Sequence, residues 1–133
     1  MKKKFGKTGF FPPSNICRDF LWLSDNVSAQ EAIDLLCSFY GVSKLKIEIV
    51  TLKELKAVKG LKKPFIAFYD PKKKRRPAKA YFTKYSFKNH WILHEFFHHL
   101  VASGIIEMDE KFEEKTADRF AKEIMARVKL LIV

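Results

Sequence analysis

The stretch Asn89-His90-Trp91-Ile92-Leu93-His94-Glu95-Phe96-Phe97-His98-His99-Leu100, with Glu113-Glu114-Lys115-Thr116-Ala117-Asp118-Arg119-Phe120-Ala121 shortly after it, decides how this chain reads. His94 and His98 are four residues apart, one helical turn, so both imidazoles fall on one side of a helix and can grip one ion. Neutral imidazole is a good zinc ligand. Glu95 sits one step round the same helix, beside the ion, where a carboxylate can take a proton from zinc-activated water and pass it to a leaving amine. Trp91, Ile92, Leu93, Phe96, Phe97 and Leu100 make the helix largely apolar, as a dry site requires. With four histidines and nine glutamates among 133 residues, chance supplies about 0.01 such patterns per chain. The competing reading, two histidines that happen to flank a surface glutamate, does not explain the acidic helix that follows.

A catalytic zinc needs a third protein ligand and an open position. Glu107, Asp109, Glu110, Glu113, Glu114 and Asp118 supply the candidates. Ser103-Gly104 ends the histidine helix, so a turn can lay the next helix alongside it. Glu114, Ala117, Asp118 and Ala121 share one face of that helix, and the alanines allow close approach. Glu114 is therefore the expected third ligand, with Asp118 one turn on accepting a hydrogen bond from a ligand imidazole. Glu113 is the alternative ligand. Both glutamates could instead decorate a solvent face near a helix N-terminus. His90, one turn before His94, reads as a rim or packing residue, and His99 as a surface or partly buried histidine without a role.

With these residues in place, the chain resembles the ImmA/IrrE-type metallopeptidases, a gluzincin-like group. That group pairs H-E-x-x-H with a downstream E-x-x-A-[ND]-x-F-A helix, matched here by His94–His98 and Glu114–Ala121. The match covers about residues 90–126. It implies a minimal zincin-like domain with one Zn2+ ion and hydrolysis of peptide bonds, often in a regulatory DNA-binding protein, with a sheet edge holding extended substrate. Phe97 departs from the pattern, standing where the family usually has glycine.

Working outward, residues 1–23 read as a basic, irregular N-terminal arm. Ser28-Ala29-Gln30-Glu31 is a capping box, and a helix follows to about Tyr40, with Ala32, Ile33, Leu36, Phe39 and Tyr40 inward and Gly41 as its stop. Leu45–Thr51 alternates with period two, a half-buried strand. Residues 52–60 form a short helix or a loop. Pro64–Tyr69 and Ala78–Tyr85 read as two further strands, joined by a hairpin tip at Lys72–Arg76. Ser86 or Asn89 can cap the histidine helix, and Asp109 a last helix from 110 to about 130 striped with Phe112, Ala117, Phe120, Ala121, Ile124, Met125 and Val128. The apolar end, Val128–Val133, can dock into the core or onto a second chain. The expected fold is α+β in the order α-β-β-β-α-α, one domain over 1–133.

The two cysteines, Cys17 and Cys37, lie twenty residues apart, which argues against a disulfide framework or a thiolate zinc site. The opening Met1-Lys2-Lys3-Lys4 is followed by Gly6, Gly9, Pro12 and Pro13 rather than a signal peptide's apolar run, and no segment is long enough to span a membrane. A cytoplasmic location is the expectation. Twenty-six basic against fifteen acidic side chains give a net charge of +11, which attracts polyanions or serves as a soluble coat. Lys72, Lys73, Lys74, Arg75 and Arg76 could contact phosphates or keep a sheet edge from pairing. Tyr81 and Tyr85 are candidate donors to a developing oxyanion. Two functions follow. One is a zinc metalloprotease acting on a protein or peptide. The other is a non-catalytic zincin-like binding module for DNA or a repressor protein that uses the basic surface. The sequence leaves the oligomeric state open.

Overall fold

The computed structural model describes residues 11–59 and 67–132 and has an α+β architecture. The elements run α1 (Ser14–Asn26), α2 (Ala29–Tyr40), β1 (Leu45–Ile49), α3 (Leu52–Lys59), β2 (Ala67–Asp70), β3 (Ala78–Phe82), α4 (Asn89–Ala102) and α5 (Glu110–Ile132). Residues 1–10 of the expected arm, Pro64–Ile66 of the expected strand and Val133 lie outside the described residues.

Residues 14–23 are not irregular, as the sequence suggested, but helical. Pro13 precedes the first turn, where its fixed φ and missing N–H cost nothing. Cys17 and Phe20, three apart, are then buried on one side. In α2, Ser28 caps through its hydroxyl, which accepts from the Glu31 amide at 3.1 Å. The reciprocal half of the box is absent, because the Ser28 amide donates to Leu23 O and ties the start of α2 to the end of α1. Gly41 closes α2 at φ +70°, a left-handed conformation that a side chain would strain. Ala32, Ile33 and Leu36 are buried, whereas Phe39 is exposed. Residues 52–59 are helical because Thr51 and Glu54 form a complete capping box, each side chain accepting from the other's amide at 3.1 Å.

The sheet has the order β1-β3-β2, with β1 parallel to β3 and β2 antiparallel to it. Alternation sends Ala78, Ala80 and Phe82 inward, where they are buried, and pairs Ala80 with Tyr69 and Ile47 on that face. α2 packs on β1, and α4 packs on β2 and β3. α1 lies against α2 and α5, and α5 runs along α4. Phe96, Phe97, Phe120, Leu93, Ile124 and Val128 fill the layer between the helices. Phe112 belongs to the solvent rather than to the expected stripe. Of the apolar C-terminal end, Val128 is buried; the side chains beyond it lie outside the described residues. Cys17 and Cys37 are buried free thiols, and burial pushes both up to about 11.

β1 is an edge strand, yet the Gln30 side chain occupies part of that edge. Its amide donates to Leu45 O at 2.9 Å and accepts from the Ile47 amide at 2.8 Å. No helix among the described residues is long and apolar enough to cross a membrane.

Candidate metal centre

α4 begins at Asn89, but neither expected capping residue caps it. Lys88 holds the cap position without a side-chain bond, and the Ser86 hydroxyl instead accepts from the Thr83 amide at 2.9 Å. Asn89 serves as an anchor: its Oδ1 accepts from the Ser24 hydroxyl at 2.6 Å, fixing α4 to α1. Gly104, at φ +81°, turns the chain after α4. The Asp109 carboxylate accepts from the Lys111 amide at 3.2 Å as α5 begins. Buried Ala117 and Ala121 bring α5 close to α4.

The juxtaposed faces carry three imidazoles and three carboxylates. Glu114 reaches both motif histidines, with Oε2 at 2.9 Å from His94 Nε2 and Oε1 at 2.9 Å from His98 Nε2. Glu113 bonds the other ring nitrogen, His98 Nδ1. The two adjacent glutamates therefore separate by role: Glu114 joins the group His94, His98 and Glu114 that could hold a metal ion, and Glu113 fixes the orientation of His98. That orienting carboxylate escaped the sequence reading, which weighed Glu113 only as a rival ligand. Its signal was Glu113's place one residue before Glu114, where it faces the same imidazole from the side. Asp118 bonds His90 Nε2 at 2.7 Å and lies 4.0 Å from His94 Nδ1. It does not hydrogen-bond a ligand imidazole directly, as expected of it, because His90 takes the nearer position.

His94 is 5% exposed, Glu95 6% and His98 9%, whereas the Glu114 side chain is 77% exposed. The group is thus walled on the helix side and open beyond Glu114, leaving room for water or substrate. Burial lowers the pKa of His94, outweighing the upward pull of its hydrogen bond to Glu114. The ring is therefore neutral near pH 7, the form that binds metal. Glu95 Oε2 stands 3.9 Å from His94 Nε2, beside the ligand nitrogens rather than among them.

Whether these residues suit a metal is answered by His98. Its Nδ1 faces Glu113, so the ring proton belongs there and Nε2 carries the lone pair. That buried Nε2 has no directed hydrogen bond although Glu114 Oε1 is 2.9 Å away. A lone pair and a carboxylate oxygen held that close repel unless they share a proton or a metal ion, so the donor set is one that can hold a metal ion.

The remaining candidates fall elsewhere. His99, expected at the surface or partly buried, is buried at 1% exposure; its Nε2 donates to Ser43 O at 2.7 Å and its Nδ1 accepts from the Tyr69 hydroxyl at 2.8 Å. Phe97 points into the core against Phe120, with ring centroids 5.3 Å apart, and takes no room from the histidine face. Tyr81 stacks on Phe68 on the sheet face opposite the buried Ala78, Ala80 and Phe82, and Tyr85 is 77% exposed beside Lys84. The strand's alternation turns Tyr81 outward, away from the helices, and Tyr85 lies beyond the end of β3 at Phe82. Lys72, Lys73, Lys74, Arg75 and Arg76 are all exposed in the β2–β3 connection, where Lys73 and Arg76 close the turn by backbone bonds of 3.2 and 2.7 Å. A pocket of about 280 Å³ lies at the C-terminal end of α4 on the side of His99, lined by Gly41, Tyr69, Lys72, His99, Ser103 and Ile105 among others; His94, His98 and Glu114 are not in its lining. No family model, curated protein or solved structure matches the chain, so the reading of this centre rests on its own geometry.

Proposed function

We propose that the protein is a zinc-dependent metallopeptidase. The observation that carries the reading is the convergence of His94 Nε2, His98 Nε2 and the exposed Glu114 carboxylate, with the His98 lone pair buried and undirected. Two nitrogens and one carboxylate with an open side are the donor set of a catalytic zinc rather than a closed structural one. Bound zinc supplies Lewis acidity that polarises a carbonyl and acidifies water.

The chain supplies the rest. Glu95, shielded beside His94, receives the proton of the attacking water and delivers it to the leaving amine. Glu113 holds the His98 ring in the tautomer that keeps Nε2 free. Among the described residues β2 is an edge strand, antiparallel to β3, and its outer backbone groups suit an extended peptide. The E-x-x-A-D-x-F-A pattern of Glu114–Ala121 and its resemblance to ImmA/IrrE-type enzymes support the same reading.

The decisive comparison is wild type against Glu95→Gln, both assayed for zinc content and for cleavage of an unstructured protein such as casein. One zinc per chain in both, with cleavage reduced by about 10²–10⁴-fold in the variant, is the expected result. Equal cleavage by the two would sink the enzyme, and zinc binding with no cleavage by either would leave the basic binding module.

A further inference from the structure

A second set of donors lies one helical turn from the first. His90 precedes His94 by four residues and Asp118 follows Glu114 by four, so the antiparallel pair α4 and α5 repeats its imidazole–carboxylate pairing. The ligand atoms of His90, His94 and Asp118 lie within 4.8 Å of one another. Asp118 Oδ1 is 2.7 Å from His90 Nε2 and 4.0 Å from His94 Nδ1. That Nδ1 belongs to a side chain only 5% exposed, and it has no hydrogen-bond partner. A buried polar atom left unpaired is costly, and this one faces a carboxylate.

A neutral imidazole has one lone pair. When His94 Nε2 donates to Glu114, the pair sits on Nδ1 and points toward Asp118. When Nδ1 holds the proton, the pair sits on Nε2 and points toward Glu114 and His98. We propose that His90, His94 and Asp118 form an alternative site for a divalent transition-metal ion, exclusive with the site of His94, His98 and Glu114 and selected by the His94 tautomer. The proposal shares His94 with the first site and requires no hydrolytic activity.

Two of the three donor gaps need little change. Donors around a tetrahedral zinc are roughly 3.3 Å apart, so the His90–Asp118 pair opens, and the Asp118–His94 gap closes, by less than about 1 Å each. Two nitrogens and one oxygen favour zinc, cobalt, nickel or copper over calcium or magnesium. Lys122 Nζ lies 3.2 Å from Asp118 Oδ2, which leaves Oδ1 to the imidazoles. Its charge opposes a nearby cation and makes this the weaker position.

The test is zinc titration by calorimetry of wild type and of His98→Ala/Glu114→Ala, with circular dichroism to show folding and ¹⁵N spectra of the imidazoles. Wild type is expected to bind one zinc, with His94 Nε2 shifted. The double variant is expected to keep one zinc about 10–100-fold more weakly, with His94 Nδ1 shifted; His90→Ala added to it abolishes binding. A folded double variant that binds no zinc while wild type does, or that keeps zinc without His90, overturns the proposal. Two zinc ions bound at once to wild type overturn its exclusivity. Absence of zinc from wild type defeats the first site as well, which separates the two failures. Should the double variant not fold, Glu114→Ala, a change at an exposed side chain, carries the readout: zinc on Nδ1 supports the site and zinc on Nε2 refutes it.

Discussion

His98 and His99 are neighbours in the chain and both are buried, yet the two sides of α4 put them in opposite circumstances. On the sheet side, His99 meets a carbonyl and a phenol, Ser43 O and the Tyr69 hydroxyl, and each ring nitrogen has one directed bond. Burial lowers its pKa, with the Ser43 bond opposing, so the ring stays neutral and is fully satisfied. On the α5 side, His98 meets two carboxylates, and one ring nitrogen is left without a directed bond. Burial is common to both, so burial does not mark a ligand. The partner atoms do: neutral, saturated partners make a strut, and surplus anionic oxygens make a place for a cation.

Four substitutions bear on this contrast, in falling order of effect. His98→Ala is expected to weaken zinc binding about 100-fold, leaving the ion to His90, His94 and Asp118; calorimetric titration reads it. His99→Ala is expected to leave zinc affinity nearly unchanged and to lower unfolding free energy in urea by about 2–4 kcal/mol, because a buried carbonyl and a phenol lose their partner. An exchange of these two phenotypes would end the distinction. Glu113→Gln keeps an acceptor beside His98 Nδ1 but removes its charge, and zinc affinity is expected to fall about 10-fold or more. An unchanged affinity would reduce Glu113 to a helix-start carboxylate. Tyr69→Phe takes one neutral bond from His99, with an expected loss of about 1 kcal/mol and no change in zinc stoichiometry.

The same contrast shows what the sequence could carry. Spacing alone placed His94, His98 and Glu114 on facing sides, because a four-residue step and two small alanines are enough to specify a helix pair and its contact. Spacing set His98 on the face of His94 and His99 off it, but it could not show what His99 meets, since its partners come from residues 30 and 56 positions away. Helix phase favoured Glu114 over Glu113 as ligand, but the orienting role of Glu113 depends on the rotation of α5 against α4. Other misses were local. Thr51-Leu52-Lys53-Glu54 is a capping box that would have identified α3 as a helix. Pro12-Pro13 followed by Ile16, Cys17, Phe20 and Leu21 has the period of a helix behind a proline start, which the basic N-terminal composition obscured. Tyr81 was a candidate oxyanion donor, but pleating sends it away from the helices.

The Gln30 amide has a consequence for assembly. By holding Leu45 O and the Ile47 amide it stands in for a neighbouring strand, so β1 cannot readily recruit another chain, while among the described residues no strand or side chain takes that place beside β2. A sheet that can accept a partner on one side only is a terminator rather than a link. Two copies joined along β2 would close on themselves, and no fibre could grow from them.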